Sequence, residues 1–115
     1  MKREGNNILY DLHITFIDAT LGVQVEVPTV DGKVKLKIDA GTQGGKILRL
    51  RGKGITELNT TRRGDQLIHI NIWTPQKLTS EEKDMLEKLR SSDNFKPHPG
   101  KNDKGFFDKM REYFQ

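Results

Sequence analysis

Residues 23–38 read Val-Gln-Val-Glu-Val-Pro-Thr-Val-Asp-Gly-Lys-Val-Lys-Leu-Lys-Ile, with aliphatic and polar side chains alternating on both sides of an Asp-Gly pair. Because successive side chains of a strand point to opposite faces, this pattern predicts two half-buried strands. Asp31-Gly32 is typical of a tight hairpin turn, where glycine readily adopts positive φ. We therefore predict a β-hairpin whose first strand ends at Pro28 and whose second strand exposes Lys35 and Lys37.

The same two-residue period recurs in three further segments. Their aliphatic or aromatic members are Leu12, Ile14 and Phe16, then Leu48 and Leu50, then Ile68, Ile70 and Ile72. Short strands separated by turn residues are typical of an antiparallel sandwich rather than of alternating strand and helix units. We therefore predict a mainly β fold, with a small antiparallel β-sandwich domain over residues 1–76.

The period changes after Thr74-Pro75. Thr79-Ser80-Glu81-Glu82 matches a capping box, which begins a helix by satisfying free backbone N–H groups at its first turn. Apolar residues at helical spacing follow, namely Met85, Leu86 and Leu89. Residues 91–102 are polar and contain two prolines, so we expect a linker or an extended crossing there.

A second short C-terminal helix is predicted from about Asp103. Its apolar residues form one broad stripe at helical spacing, and they are Phe106, Phe107, Met110, Tyr113 and Phe114. An isolated helix of this length is only marginally stable, and so much aromatic surface favours burial. Residues 77–115 thus form a predicted helical segment that docks either on its own sandwich or on a partner chain.

The composition excludes several classes of protein. The 115 residues include no cysteine, so disulfides and thiolate zinc sites are excluded. The longest apolar runs are a few residues, and the basic start lacks the apolar segment of a signal peptide. We expect a soluble cytoplasmic protein with no membrane span.

Residues 41–54 look like a phosphate-binding loop but depart from its spacing. Gly41 and Gly45 are separated by three positions instead of four, and Ile47 stands where a magnesium-binding hydroxyl is needed. The chain has no Gly-x-Ser-x-Gly elbow. The three histidines, which are His13, His69 and His98, lack the spacing of a metal site. We therefore predict no catalytic residue, no metal, no cofactor and no enzymatic activity.

Positive charge is concentrated in residues 33–63. This stretch contains two acidic residues, Asp39 and Glu57, and nine basic residues: Lys33, Lys35, Lys37, Lys46, Arg49, Arg51, Lys53, Arg62 and Arg63. One interpretation is a basic β-sandwich module that binds nucleic acid. The other is that the basic residues simply occupy the solvated faces of strands. The charged segments contain no interleaved aromatic residues for base stacking, which counts against nucleic acid.

Taken in chain order, the motifs resemble the C-terminal substrate-binding region of DnaJ-type co-chaperones over about residues 8 to 90. The matching segments are Asp11-Leu12, Ala19-Thr20-Leu21-Gly22, Val25-Glu26-Val27-Pro28-Thr29, Asp31-Gly32-Lys33-Val34, Gly41-Thr42-Gln43, Leu48-Arg49-Leu50-Arg51-Gly52-Lys53-Gly54, Arg63-Gly64-Asp65-Gln66, and Thr74-Pro75 with Leu78-Thr79. The resemblance corresponds to the second β-sandwich domain of that family, followed by its dimerisation segment.

The resemblance implies non-catalytic binding of unfolded polypeptide clients, which the parent protein delivers to a DnaK-type chaperone. We expect the chain to be a fragment without the J domain, and therefore unable to stimulate the partner's ATPase. Zinc is expected only in the missing cysteine-rich region of the parent. Our candidate client contacts are Leu48, Leu50, Ile55 and Leu58, with core packing as the alternative for the first two.

The resemblance also implies a homodimer. It places Met85, Leu86 and Leu89 in the segment that pairs subunits. The second helix lies beyond the strong family motifs, so a role for it in dimerisation rests on its apolar stripe alone. We expect pairing through one or both helices.

Overall fold

The computed structural model describes residues 1–56 and 62–99. The chain divides into two units, Met1–Pro75 and Gln76–Gln115. The candidate contact Leu58 and the whole predicted second helix, with its five apolar residues, lie outside the described residues.

Two sheets make up the first unit. Its elements are β1 (Lys2–Glu4), β2 (Asn7–Thr15), α1 (Phe16–Leu21), β3 (Val23–Thr29), β4 (Gly32–Ile38), β5 (Ile47–Leu50) and β6 (Gln66–Trp73). One sheet has the strand order β1-β2-β6-β5, and the other is the β3-β4 hairpin. The predicted mainly β sandwich is confirmed.

The hydrophobic core lies between the two sheets. It combines residues of the four-stranded sheet and of the hairpin with one residue of α1, and its buried members are Leu12, Ile14, Ala19, Val27, Ile38, Ile68 and Ile70. All but Ala19 belong to the aliphatic phase of a predicted strand. The alternation in the sequence therefore identified the inward face of each strand.

One strand pairing differs from the predicted antiparallel arrangement. The central strands β2 and β6 run parallel, with a register from Ile8 opposite Gln66 to Thr15 opposite Trp73. Parallel neighbours require a long crossover, and here it contains α1, the hairpin and β5. The pairs β1-β2, β3-β4 and β5-β6 are antiparallel.

Two local predictions are corrected. Phe16, predicted within a strand, begins helix α1, because the Thr15 hydroxyl caps the helix by accepting from Asp18 N at 3.0 Å. Pro28, predicted to end its strand, lies inside β3 opposite Lys33. The hairpin turn consequently consists of Val30 and Asp31, and Gly32 begins β4 with a φ of 125°.

The described part of the second unit contains helix α2 (Ser80–Arg90) and a 3-10 turn (Asp93–Phe95). The predicted capping box is confirmed: Glu82 N donates to the Thr79 hydroxyl at 3.2 Å, and Thr79 N donates to Glu82 Oε1 at 2.7 Å. The bond from the Thr79 backbone N–H lowers the pKa of Glu82. Neither described α-helix has the length and apolar character needed to cross a membrane.

Candidate functional site

The short strand β5 forms one edge of the four-stranded sheet, where it is bonded to β6 alone among the described strands. Just before β5, Gly45 N donates to Ile70 O at 2.8 Å, and Ile70 N donates to Lys46 O at 2.9 Å. Two residues thus face one, which is a β-bulge, and Gly45 supplies the positive φ of 90° that this bulge type uses.

The bulge determines which backbone groups of β5 face outward. Hydrogen-bonded and non-hydrogen-bonded pairs alternate along an antiparallel ladder. Counting from the Lys46–Ile70 bond, Leu48 and Leu50 bond to β6, whereas the N–H and C=O groups of Ile47 and Arg49 point away from it. The outer edge of β5 therefore offers donors and acceptors to an additional extended strand.

The side chains of β5 divide between two faces. Leu48 and Leu50 are half-buried and pack against the core, so core packing accounts for at least part of their surface. Ile47, which is not among the predicted client contacts, points to the other face and is 60% exposed. It borders a depression that includes Leu9 and Leu67. The sequence feature that could have identified Ile47 is an aliphatic residue at a strand position whose alternate neighbour, Arg49, is charged.

Ile55, the third candidate contact, lies in the loop that follows β5 and is half-buried. Its N–H donates to Asn6 O at 2.8 Å, and its carbonyl accepts from Gly64 N at 3.0 Å. The first bond attaches the loop to the β1–β2 turn, and the second joins the two sides of the loop. These bonds hold Ile55 at a defined position at the base of the loop.

Ion pairs reinforce the same loop. Arg63 Nη1 lies 2.7 Å from Asp31 Oδ2 at the hairpin turn, and its hydrogen bond lowers the pKa of Asp31. Asp65 accepts from Gly52 N at 3.0 Å and lies 3.5 Å from Arg49 Nε. The segment after β5 is thus attached both to the hairpin and to β5 itself.

The outer face of β2 and β6 carries a polar cluster instead of a metal site. Asp11 Oδ1 accepts from His69 Nδ1 at 2.9 Å and from Asn71 Nδ2 at 3.3 Å. The bond from His69 is the main cause of the lowered pKa of Asp11. His13 and His69 are exposed. No group of potential metal ligands occurs within residues 1–56 and 62–99.

The basic residues proposed for a nucleic-acid face do not share one surface. Lys35 and Lys37 project from the outer face of β4, because Val34, Leu36 and Ile38 take the inner positions. Arg49 projects from the outer face of the other sheet, opposite to Leu48. Since the core lies between the sheets, these charges lie on opposite sides of the sandwich.

Helix α2 carries an apolar surface that is open to solvent in the described residues. Met85 is 61% exposed and Leu89 is 38% exposed, while Leu86 is half-buried. No residue of α2 is fully buried. The three candidate dimerisation residues of this helix are therefore accessible, and they lie one helical turn or less apart.

The family model of the DnaJ C terminal domain matches residues 1–75. The chaperone protein DnaJ of Salinibacter ruber is 46% identical over 115 residues, covering 98% of this chain and 30% of that protein. The chaperone protein DnaJ of Bacteroides thetaiotaomicron is 50% identical over 112 residues, covering 97% of this chain and 28% of that protein. The chain thus spans about 30% of the length of the curated relatives it matches. Because the family model covers well over half of its residues, the chain belongs to the DnaJ C-terminal domain family.

Proposed function

We propose that this chain binds unfolded polypeptide without catalysis, within a cytoplasmic DnaJ-type co-chaperone that passes its clients to a DnaK-type chaperone. Residues 1–76 are the client-binding domain in this proposal, and residues 77–115 are the dimerisation segment. Relatives named as chaperone protein DnaJ support the general role. The client site and the dimer are proposals that combine the family resemblance with the exposed residues of β5 and α2.

The open edge of β5 is the observation that carries the client site. Its outward N–H and C=O groups at Ile47 and Arg49 can pair with the backbone of any extended segment, which explains binding with little sequence dependence. Ile47 offers apolar contact on the outer face. On the inner face, the partly exposed surfaces of Leu48 and Leu50 offer the same. Ile55 and Leu58 remain candidate contacts in the proposal.

Replacing Arg49 by proline tests strand addition directly. Arg49→Pro removes an N–H that faces away from β6, so the β5–β6 ladder keeps its bonds while an added strand loses a donor and meets the proline ring. We expect affinity for an unfolded client peptide, measured by fluorescence anisotropy, to fall about tenfold or more. Arg49→Ala is the matched control, because it also loses the guanidinium but retains the N–H.

Equal affinities of Arg49→Pro and Arg49→Ala would show that β5 is not the binding edge. Residue-resolved NMR of the unmodified chain gives an independent readout. The proposal expects client-induced amide shifts at residues 47–50 and 55. Shifts confined to residues 100–115 would contradict it.

The dimer is proposed to form through α2, alone or together with the C-terminal stripe. Burial of the exposed Met85 and Leu89 against a second copy would remove apolar area from water. Met85→Glu with Leu89→Glu places two carboxylates in that interface. We expect sedimentation velocity to show at least about a hundredfold weaker dimer, since desolvating unpaired charges opposes association.

Lys83→Glu with Lys88→Glu is the control for the dimer experiment, because it changes two exposed charges on the same helix and leaves the apolar residues intact. The control variant should still dimerise. A chain that remains monomeric at every concentration before any substitution would rule the dimer out. If the unmodified chain dimerises, a variant shortened to residue 102 measures how much of the dimer affinity comes from α2 and how much comes from the C-terminal stripe.

A further inference from the structure

The second strand of the hairpin, β4, has an open edge whose chemistry differs from that of β5. Among the described residues, β4 pairs with β3 alone. Three lysines occupy alternate positions along it, namely Lys33, Lys35 and Lys37, and all three are exposed. None of them forms an ion pair with a described residue.

Pro28 shows which backbone groups of β4 face the open edge. Proline has no N–H, and the Pro28 carbonyl accepts from Gln66 Nε2 at 2.8 Å instead of bonding to β4. The Pro28–Lys33 pair is therefore a non-hydrogen-bonded pair of the ladder. By alternation, Lys35 and Lys37 also direct their N–H and C=O groups away from β3.

The open edge thus combines backbone pairing groups and ammonium groups on the same three residues. Alternate residues of a strand lie about 6.6–6.8 Å apart, so carboxylates on alternate residues of an added strand would match the lysine spacing. Side chains directly opposite each other in neighbouring strands lie about 4.5–5.5 Å apart, within reach of an ion pair. The intervening residues of the added strand would lie beside Val34 and Leu36, which are half-buried on the inner face.

Neighbouring acidic residues form no ion pair with these three lysines in the described part of the chain. Glu26 lies opposite Lys35 in the hairpin but forms no ion pair with it. Asp31 at the turn is already bound to Arg63 at 2.7 Å. Lysines on an open edge discourage pairing with ordinary strands, because their ammonium groups would lose water without gaining a partner. A strand that carries carboxylates avoids this desolvation cost, because each ammonium group gains an oppositely charged partner.

We propose that the β4 edge is a second strand-addition site, selective for extended polypeptide segments in which acidic and aliphatic residues alternate. The β3 edge is a poorer site, because Pro28 lacks a donor there and its carbonyl is already bound by Gln66. The β4 site is independent of the client site at β5, and it selects by charge where the β5 edge does not.

The test uses the full chain and three synthetic peptides. The first alternates glutamate and valine over seven residues, the second has glutamine for glutamate, and the third keeps every glutamate but has proline for valine. NMR titration should show amide shifts across residues 33–37 with the first peptide. We expect the second and third peptides to bind about tenfold more weakly or worse, because each lacks either the charges or the strand conformation.

Charge reversal gives the second arm. Lys33→Glu, Lys35→Glu and Lys37→Glu together should abolish preference for the acidic peptide and favour its lysine counterpart. A variant with Lys2, Lys46 and Lys83 changed to glutamate has the same net charge and should retain the original preference. Arg49→Pro should leave the acidic-peptide amide shifts at residues 33–37 unchanged while it removes any shifts at the β5 edge, which separates the two sites. Equal binding of the proline peptide, or of single-stranded DNA of the same charge, would overturn the proposal in favour of general polyanion attraction.

Discussion

Gly64→Ala is expected to lower the free energy of unfolding by about 3 kcal/mol or more, because the site has no room for a single methyl group. A Cβ at this position would overlap the backbone carbonyl of Asn6 in the β1–β2 turn. The obstacle is backbone, so a side-chain rotation cannot relieve it. A Cβ at Gly54, on the other side of the loop, would overlap the same carbonyl.

The close approach of Gly54 and Gly64 to the Asn6 carbonyl allows backbone hydrogen bonds between these segments. Gly54 N donates to Gly64 O at 2.9 Å, and Ile55 N donates to Asn6 O at 2.8 Å, so three backbone segments are bonded side by side. Only residues without a side chain allow this approach at Gly54 and Gly64. Because Ile55 belongs to the proposed client site, Gly64→Ala should disturb client binding as well as stability.

Urea unfolding followed by circular dichroism measures the effect. Gly44→Ala is the matched control, since its Cβ would meet only the Ile72 side chain at an ordinary 3.5 Å. The control should lie within about 0.5 kcal/mol of the unmodified chain. Similar unfolding free energies for Gly64→Ala and Gly44→Ala would show that the three segments separate easily, against the bonding described above.

Structural features that depend on residues close together in the sequence were predictable. The alternation in residues 23–38 predicted the hairpin, and Thr79 with Glu82 predicted the start of α2. The parallel pairing of β2 with β6 was not predictable, because it depends on which distant strands become neighbours. The short helix α1 was not predicted, because Phe16 continues the apolar alternation of β2. The chain nevertheless leaves the strand at Thr15, whose hydroxyl caps α1.

The two candidate binding edges, β4 and β5, were likewise only partly predictable from the sequence. Alternation correctly predicted that Lys35 and Lys37 are exposed, but it could not show that β4 ends the sheet or where its free N–H groups point. For β5, the phase of the ladder follows from the bulge at Gly45 and Lys46, which a pattern of apolar residues does not encode. Knowledge of the pairing partners was needed to turn exposed strands into candidate binding edges.

Gln66 has a structural role that the sequence did not predict, because it stood out only as the last residue of the family-matching segment Arg63-Gly64-Asp65-Gln66. It is fully buried at the start of β6. Its Nε2 donates to Pro28 O at 2.8 Å, joining the four-stranded sheet to the hairpin. Its Oε1 has no hydrogen-bond partner among the described residues. The side chain therefore lies where a charge would be poorly tolerated.

Gln66→Glu should lower the free energy of unfolding at pH 7 by about 3–5 kcal/mol, since it buries a carboxylate that faces the Pro28 carbonyl oxygen. Gln66→Met, of similar shape and without charge, should lose only about 1–2 kcal/mol through the unpaired Pro28 carbonyl. Burial raises the pKa of the introduced carboxyl in the folded state above its unfolded value of about 4.3. The folded variant therefore binds more protons than the unfolded one between these two values.

The sign of the pH dependence follows from that difference in proton binding. The penalty of Gln66→Glu relative to the unmodified chain is complete above the raised folded-state pKa and shrinks as the pH falls toward the unfolded value. A protonated carboxyl can also donate to Pro28 O and so restore the bond that joins the sheets. The penalty of Gln66→Met should stay constant over the same range, because methionine does not titrate. Urea unfolding of both variants between pH 4 and 8 measures these trends. A pH-independent penalty for Gln66→Glu would mean that water reaches this position and that the two sheets are not joined by a dry hydrogen bond.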